Sequence, residues 1–111
     1  MIKSRYFLMF CIGFVGLISS YEGIEKLVLP KGFEISIYAD ELILPRQIAE
    51  SKSGYVFVGS KTSQSNNGKI IALIDNNNDG YAEEKIIVAE GLDFPTGVSI
   101  NNGDLYFSEI N

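Results

Sequence analysis

Two stretches of the sequence repeat each other fifty residues apart, and this repeat limits the possible folds more than any other feature. The run LILPRQIAESKSGYVFVGS from Leu42 aligns with LDFPTGVSINNGDLYFSEI from Leu92. Each has Leu, Pro and an aliphatic residue at the same offsets, then a Gly turn and an apolar, aromatic run. A period of ~40 to 50 residues is typical of one β-propeller blade, a four-stranded sheet. Two similar hairpins in a β-sandwich are the alternative, because two copies do not define a propeller.

From Phe33 onward the hydrophobic pattern is that of short strands. Apolar and polar residues alternate in the first run, and β-branched and aromatic residues dominate the others. Clusters of Gly, Ser and Asn separate the runs, and no useful helical stripe follows residue 20. The sequence therefore predicts an all-β fold. The predicted strands are FEISIYA (33–39), GYVFVGS (54–60), KIIALID (69–75), EKIIVAE (84–90) and DLYFSEI (104–110).

The repeat is unfinished within the 111 residues. Propellers close with about four or more blades, and repeat units are stable only when neighbours cover their faces. The second copy ends inside an apparent strand, YFSEIN. We therefore expect the first one to two blades of a longer propeller, with a lead-in at 21–32 and an incomplete propeller domain at 33–111. A complete small secreted domain is the less favoured alternative.

The first twenty residues have the layout of a secretory signal peptide. Lys3 and Arg5 precede an apolar run from Tyr6 to Ile18, and small residues follow at Ser19 and Ser20. A membrane anchor is the alternative, but this run is shorter than the roughly 20 residues that a spanning helix needs. The prediction is a periplasmic or secreted protein without a stable membrane span after cleavage at residue 20.

Charge and composition exclude several kinds of function. Loss of Lys3 and Arg5 leaves seven basic residues against the fourteen acidic ones, which is a net charge of -7. An acidic chain argues against nucleic acid as a partner. The sequence has no His, and its one Cys, Cys11, lies in the signal segment. Thiol chemistry, a His base and the usual zinc ligands are therefore missing from the mature residues.

The stretch DNNNDGYAE has the spacing of a calcium loop. Acidic and amide residues alternate before the turn at Gly80, which matches D-x-[DN]-x-[DN]-G. Position 12 holds Ile86 instead of a bidentate Glu, and strands flank the stretch, so it is not an EF-hand. A polar hairpin built on Asn and Gly is the alternative. The predicted metal ligands are Asp75, Asn77, Asp79, Tyr81 through its backbone carbonyl, and Glu83.

From about Leu27 to Ile110 the chain resembles the N-terminal part of the glucose and L-sorbosone dehydrogenase family, the soluble PQQ-dependent sugar dehydrogenases. The residues that carry the resemblance are LPKGFEISIYA, Arg46 before an apolar pair, VFVGS, the DNNNDG loop and GLDFPTGVSINNGDLYFSE. They are blade-packing positions more than reactive groups.

The resemblance implies a six-bladed propeller that holds pyrroloquinoline quinone (PQQ) and calcium at the mouth of its channel. Such an enzyme oxidises a sugar or aldehyde by hydride transfer to the quinone, which an electron acceptor reoxidises. The family uses a His base, so catalytic residues are expected beyond Asn111. Arg46 is the candidate cofactor contact, since its counterpart in the repeat is Thr96 and blade packing does not require an Arg. The alternative function is a non-catalytic, calcium-stabilised secreted binding module.

Overall fold

The computed structural model describes residues 23–60 and 65–110 of the chain. The chain divides into two compact units, Met1–Tyr38 and Ala39–Asn111. The described part of the first contains one short 3-10 helix, Ile24–Lys26. The described part of the second contains six strands: β1 (Pro45–Glu50), β2 (Val56–Ser60), β3 (Gly68–Ile74), β4 (Glu84–Leu92), β5 (Gly97–Asn101) and β6 (Asp104–Ser108). The predicted all-β class is confirmed.

The strand predicted at 33–39 is wrong. Its residues have no strand assignment, although apolar and polar side chains alternate along it. A strand needs a hydrogen-bonded neighbour, and the described residues of Met1–Tyr38 contain no other strand. Alternation alone does not report whether such a neighbour exists.

The first four strands form one antiparallel sheet in the order β1-β2-β3-β4. Val58 faces Ile48 of β1 on one side and Ile71 of β3 on the other. The sequence predicts β2, β3 and β4 to within about two residues, because β-branched and aromatic residues fill them and turn residues bound them. At one end of the sheet Ser60 closes the pairing of β2 with β3: its Oγ accepts the Lys69 N–H at 2.8 Å and donates to the Lys69 carbonyl at 3.1 Å.

The strands β5 and β6 form a separate hairpin that packs against β1 and β2. This hairpin is the second copy of the sequence repeat, and the first copy is the pair β1-β2. The two copies have left-handed backbone angles at equivalent positions. The residue before the proline has a left-handed φ in each, 45° at Leu44 and 48° at Phe94, and so does the turn glycine, 88° at Gly54 and 90° at Gly103. The repeat read from the sequence therefore recurs in the local backbone.

The face of the sheet that contains Gly59 packs against this hairpin. Pro95 is fully buried and its atoms touch two glycines of the sheet. A Cβ added to Gly68 would lie 2.1 Å from Pro95 Cδ, and one added to Gly59 would lie 2.4 Å from the Pro95 carbonyl oxygen. These glycines allow the second copy to pack against the first. The buried apolar residues are Val56, Val58, Ile70, Ala72, Leu73, Ala82 and Val98.

Within the described residues no helix is both long and apolar enough to cross a membrane. The predicted signal peptide, 1–20, lies outside the described residues.

Candidate functional site

The stretch predicted to bind calcium connects β3 to β4. Each of its three acidic residues, Asp75, Asp79 and Glu83, has a carboxylate oxygen within 4.8 Å of those of the other two. Asp75 is half-buried, and the other two are exposed. The fold thus brings together the acidic residues that the spacing of the sequence singled out.

Backbone amides of the loop point at the first two carboxylates. Asp75 accepts the N–H of Asp79 at 3.2 Å and of Gly80 at 2.9 Å, and Asp79 accepts the N–H of Tyr81 at 2.8 Å. Asn78 and Gly80 adopt the left-handed conformation, with φ of 58° and 92°. Asn and Gly tolerate this conformation better than other residues, which is why the chain can turn so tightly here.

Asparagine side chains complete the hydrogen bonding of the loop. Asn77 Oδ1 accepts the Asp79 N–H at 2.8 Å, and Asn77 Nδ2 donates to Glu83 Oε1. Asn76 donates its N–H to Glu83 Oε2 at 3.0 Å and its Nδ2 to Glu84 Oε2 at 3.3 Å. All three carboxylates are therefore held by neutral N–H donors, which partly offset their mutual repulsion.

The donor set fits a hard cation. Calcium prefers six to eight oxygen ligands, and carboxylate and amide oxygens are the usual ones. The same hydrogen bonds also suit a polar hairpin without any ion, because Asx side chains commonly bond the backbone two residues onward. Tyr81 fits the predicted pattern only through its backbone carbonyl, since its hydroxyl donates to Asp40 Oδ1 at 3.1 Å.

Asp40 joins the loop to the segment before β1. Lys85 Nζ donates to the Asp40 carboxylate at 3.2 Å and to the Asp40 backbone carbonyl at 2.8 Å. The hydrogen bond from Lys85, and secondarily that from the Tyr81 hydroxyl, lowers the pKa of Asp40 below its ordinary value. Sequence reasoning missed Asp40, because it lies 41 residues before Tyr81 and outside any motif.

Arg46, the predicted cofactor contact, lies in a β-bulge. Pro45 pairs with Ser60 and Gln47 with Gly59, so Arg46 is the extra residue of β1 and has no opposite partner on β2. Bulges change the direction of a side chain and are frequent next to functional sites. The Arg46 side chain is exposed, and its neighbour Gln47 lines a groove of about 290 Å³ between β1 and the hairpin. The groove is also lined by Gly97, Val98, Ser99, Tyr106, Phe107 and Ser108.

The loop and Arg46 lie at opposite ends of the sheet. The pairs Pro45↔Ser60 and Gly68↔Leu92 mark one end, and Ile74↔Glu84 marks the other. β3 runs from one to the other over seven residues, which corresponds to roughly 20 Å at about 3.3 Å per residue. One small cofactor therefore does not bridge Arg46 and a cation held by Asp75, Asp79 and Glu83.

Comparison with known proteins gives a family but no activity. No curated protein and no solved structure matches the chain. One family model covers residues 19–109, which is most of the chain. The chain belongs to the family described as a domain of unknown function, DUF7133.

Proposed function

We propose that the chain is the N-terminal part of an exported β-propeller that binds calcium in the loop 75–83. The observation that carries the proposal is the convergence of the Asp75, Asp79 and Glu83 carboxylate oxygens within 4.8 Å. The ion is structural: it fixes the turn between β3 and β4 and relieves the repulsion of three like charges.

The propeller part of the proposal is supported by the sheet and the repeat. A four-stranded antiparallel meander is the unit of a propeller blade, and in a propeller each new blade begins beside the first strand of the one before. β1 to β4 form such a meander, and β5 packs against β1 and β2. The hairpin β5-β6 is then the beginning of a second blade.

Calcium titration of the full chain tests the site. We expect saturable Ca²⁺ binding by isothermal calorimetry and a higher unfolding temperature when the ion is present. Asp75→Asn and Asp79→Asn should each abolish both effects, because each removes a charged ligand. Glu90→Gln is the matched control: it removes one acidic charge from β4 at the opposite end from the loop, and should leave binding unchanged.

Two results would reject the calcium site. One is an unfolding temperature that does not respond to Ca²⁺ in the wild-type chain. The other is an equal response in wild type and Asp75→Asn, which would mean general charge screening. In either case the polar hairpin is the better account of the loop.

A second candidate function is PQQ-dependent oxidation of a sugar or aldehyde, for which the resemblance supplies the chemistry. The observation that favours it is the place of Arg46, in a bulge and next to a groove at the end of the sheet away from the loop. A guanidinium pairs with the carboxylates of PQQ. When bound, PQQ supplies a quinone that accepts the hydride, and Arg46 would orient one of its anionic groups.

PQQ binding to the full chain tests this candidate separately. We expect the quinone absorbance to shift on binding, and Arg46→Gln to weaken binding by about tenfold or more, as loss of a charge-assisted contact predicts. Lys52→Gln is the control, since it removes one positive charge from the turn at the other end of β1. Equal weakening by both variants would mean that Arg46 contributes only its positive charge and makes no specific contact. Absence of binding would reject the cofactor site on this chain.

A further inference from the structure

The sequence contains two Asn-Gly pairs, Asn67–Gly68 and Asn102–Gly103. Such pairs deamidate more easily than other Asn positions, because Gly has no Cβ to hinder its own backbone nitrogen. The Gly N–H proton leaves to solvent, its nitrogen bonds to the side-chain amide carbon of the Asn, and the amide nitrogen leaves as ammonia. Water then breaks one of the two carbon–nitrogen bonds of the cyclic imide, which gives isoaspartate or aspartate. The two pairs are chemically alike, so the fold decides which one reacts.

The first pair is held in place at the start of β3. Gly68 is buried and pairs with Leu92 of β4. A Cβ added to Gly68 would lie 2.1 Å from Pro95 Cδ and 2.7 Å from the Leu92 carbonyl oxygen. Attack on the Asn67 side chain requires the peptide group between Asn67 and Gly68 to turn, and this packing prevents the turn until the end of β3 opens.

The second pair forms the two-residue turn between β5 and β6. Asn101 and Asp104 pair across it, and Asn102 and Gly103 both have a left-handed φ, 51° and 90°, as the tight turns of hairpins require. Both turn residues are exposed, and apart from the chain neighbours no atom lies within 4 Å of a Cβ added to Gly103. No backbone carbonyl of the described residues accepts the Gly103 N–H. The attacking nitrogen is therefore unobstructed.

The loop 75–83 contains a related pair, Asp79–Gly80, whose aspartate can form the same imide by loss of water. Its attacking nitrogen is already engaged, since the Gly80 N–H donates to Asp75 Oδ2 at 2.9 Å. A carboxylate is also a poorer electrophile than an amide. The fold thus protects two of the three positions that precede a glycine in this way and leaves Asn102 open.

We infer that Asn102 is a site of spontaneous deamidation in the folded protein, and that isoaspartate at this position loosens the β5-β6 hairpin. Isoaspartate routes the main chain through the former side chain, which adds a carbon to the backbone of the turn. The register of a hairpin depends on the length and type of its turn. The pairs from Asn101↔Asp104 to Gly97↔Ser108 are therefore weakened. This inference is independent of the calcium and PQQ proposals.

Incubation of the full chain at mildly alkaline pH, followed by peptide mass spectrometry, tests the modification. We expect the mass increase of deamidation to accumulate at Asn102 about tenfold faster than at Asn67, or more, because a turn opens at lower free energy than a buried strand. In urea, where the fold is absent, the two positions should react at similar rates. Equal rates in the native chain, or an unreacted Asn102, would overturn the inference.

Asn102→Asp separates the new charge from the change in the backbone. Hydrogen exchange in β5 and β6 should be faster in the isoaspartate-containing fraction than in the unmodified chain, and unchanged in β2 and β3. Asn102→Asp has the charge without the additional carbon, so its exchange should stay near that of the unmodified chain. If Asn102→Asp exchanges as fast as the isoaspartate fraction, the assigned cause is wrong. If neither exchanges faster, loosening of the hairpin is rejected.

Discussion

At the scale of single residues, a proline packs tightly against two glycines of the sheet. Pro95 lies near the start of the second repeat and packs against Gly59 and Gly68 of the first sheet. The glycines are required for space and not for their backbone angles, since neither has a positive φ. No local pattern of the sequence indicates this role, because the partner of each glycine depends on how the hairpin packs against the sheet.

Substitution of Gly68 by alanine should destabilise the chain strongly. The new methyl group would lie 2.1 Å from Pro95 Cδ and 2.7 Å from the Leu92 carbonyl oxygen. Rigid neighbours cannot move aside cheaply, so we expect a loss of about 1 to 3 kcal/mol or more in the free energy of unfolding. Gly23→Ala is the control, because no atom lies within 4 Å of its added Cβ. Urea unfolding of both variants measures the difference, and equal midpoints would contradict the close packing.

The carboxylate of Asp40 should make stability depend on pH in the acid range. Its pKa is lowered in the folded protein by hydrogen bonds from Lys85 and Tyr81. A group with a lowered pKa contributes stability that is full above its unfolded pKa and is lost as the pH falls through the folded pKa. In calcium-free buffer, we therefore expect Asp40→Asn to be less stable than wild type at neutral pH.

The difference between wild type and Asp40→Asn should shrink as the pH falls through the acid range. Urea midpoints at several pH values measure it. Glu50→Gln, a change of an exposed carboxylate on β1, is the matched control. A constant difference between wild type and Asp40→Asn at every pH would mean that the carboxylate charge is not what stabilises this contact.

At the scale of elements, the sequence predicted the interior strands β2 and β3 well, whereas its prediction of a strand at 33–39 is wrong. β2 and β3 combine β-branched runs with turn residues at both ends, and both have neighbours on each side. The run at 33–39 has equally clear alternation, but the described residues of its unit contain no strand beside which it could pair. Strand pairing is a nonlocal property, so a local pattern predicts the capacity to form a strand and not the presence of a neighbour.

The turn before β1 contains a strain that the sequence did not reveal. Leu44 has a φ of 45° and is followed by Pro45. Left-handed backbone costs a branched apolar residue roughly 1 to 2 kcal/mol, and asparagine less. The same conformation precedes Pro95 at Phe94, so the geometry belongs to the repeat and not to one side chain.

Leu44→Asn should therefore be more stable than Ile43→Asn. Both side chains are exposed, Leu44 to 57 % and Ile43 to 70 %, so each change removes little buried apolar area. Only Leu44 has a positive φ, and we expect a gap of about 0.5 to 1 kcal/mol in the free energy of unfolding in favour of Leu44→Asn. Thermal or urea unfolding measures it, and the reverse order would contradict the strained turn.

At the scale of the whole molecule, the sheet separates two features that the sequence singled out, the loop 75–83 and Arg46. Residue spacing singled out the acidic residues of the loop, because that pattern is local, and the fold does bring the three predicted carboxylates together. Arg46 was predicted as a cofactor contact from its place in the repeat. Its position in a bulge was not predicted, because a bulge depends on how β1 pairs with β2. Neither pattern indicated that the loop and Arg46 lie at opposite ends of the sheet.

This separation predicts that changes at the two ends act independently on stability. Sites more than 7 to 10 Å apart usually have additive effects to within about 0.5 kcal/mol, and the two ends are roughly 20 Å apart. In calcium-free buffer, Asp75→Asn and Arg46→Gln should therefore add. Asp75→Asn and Asp79→Asn should not, because their carboxylates lie within 4.8 Å of each other and each change relieves the same repulsion. Unfolding free energies of the two double-mutant cycles measure both couplings. A coupling between Asp75 and Arg46 as large as that between the two aspartates would mean that the two ends of the sheet are linked through its strands.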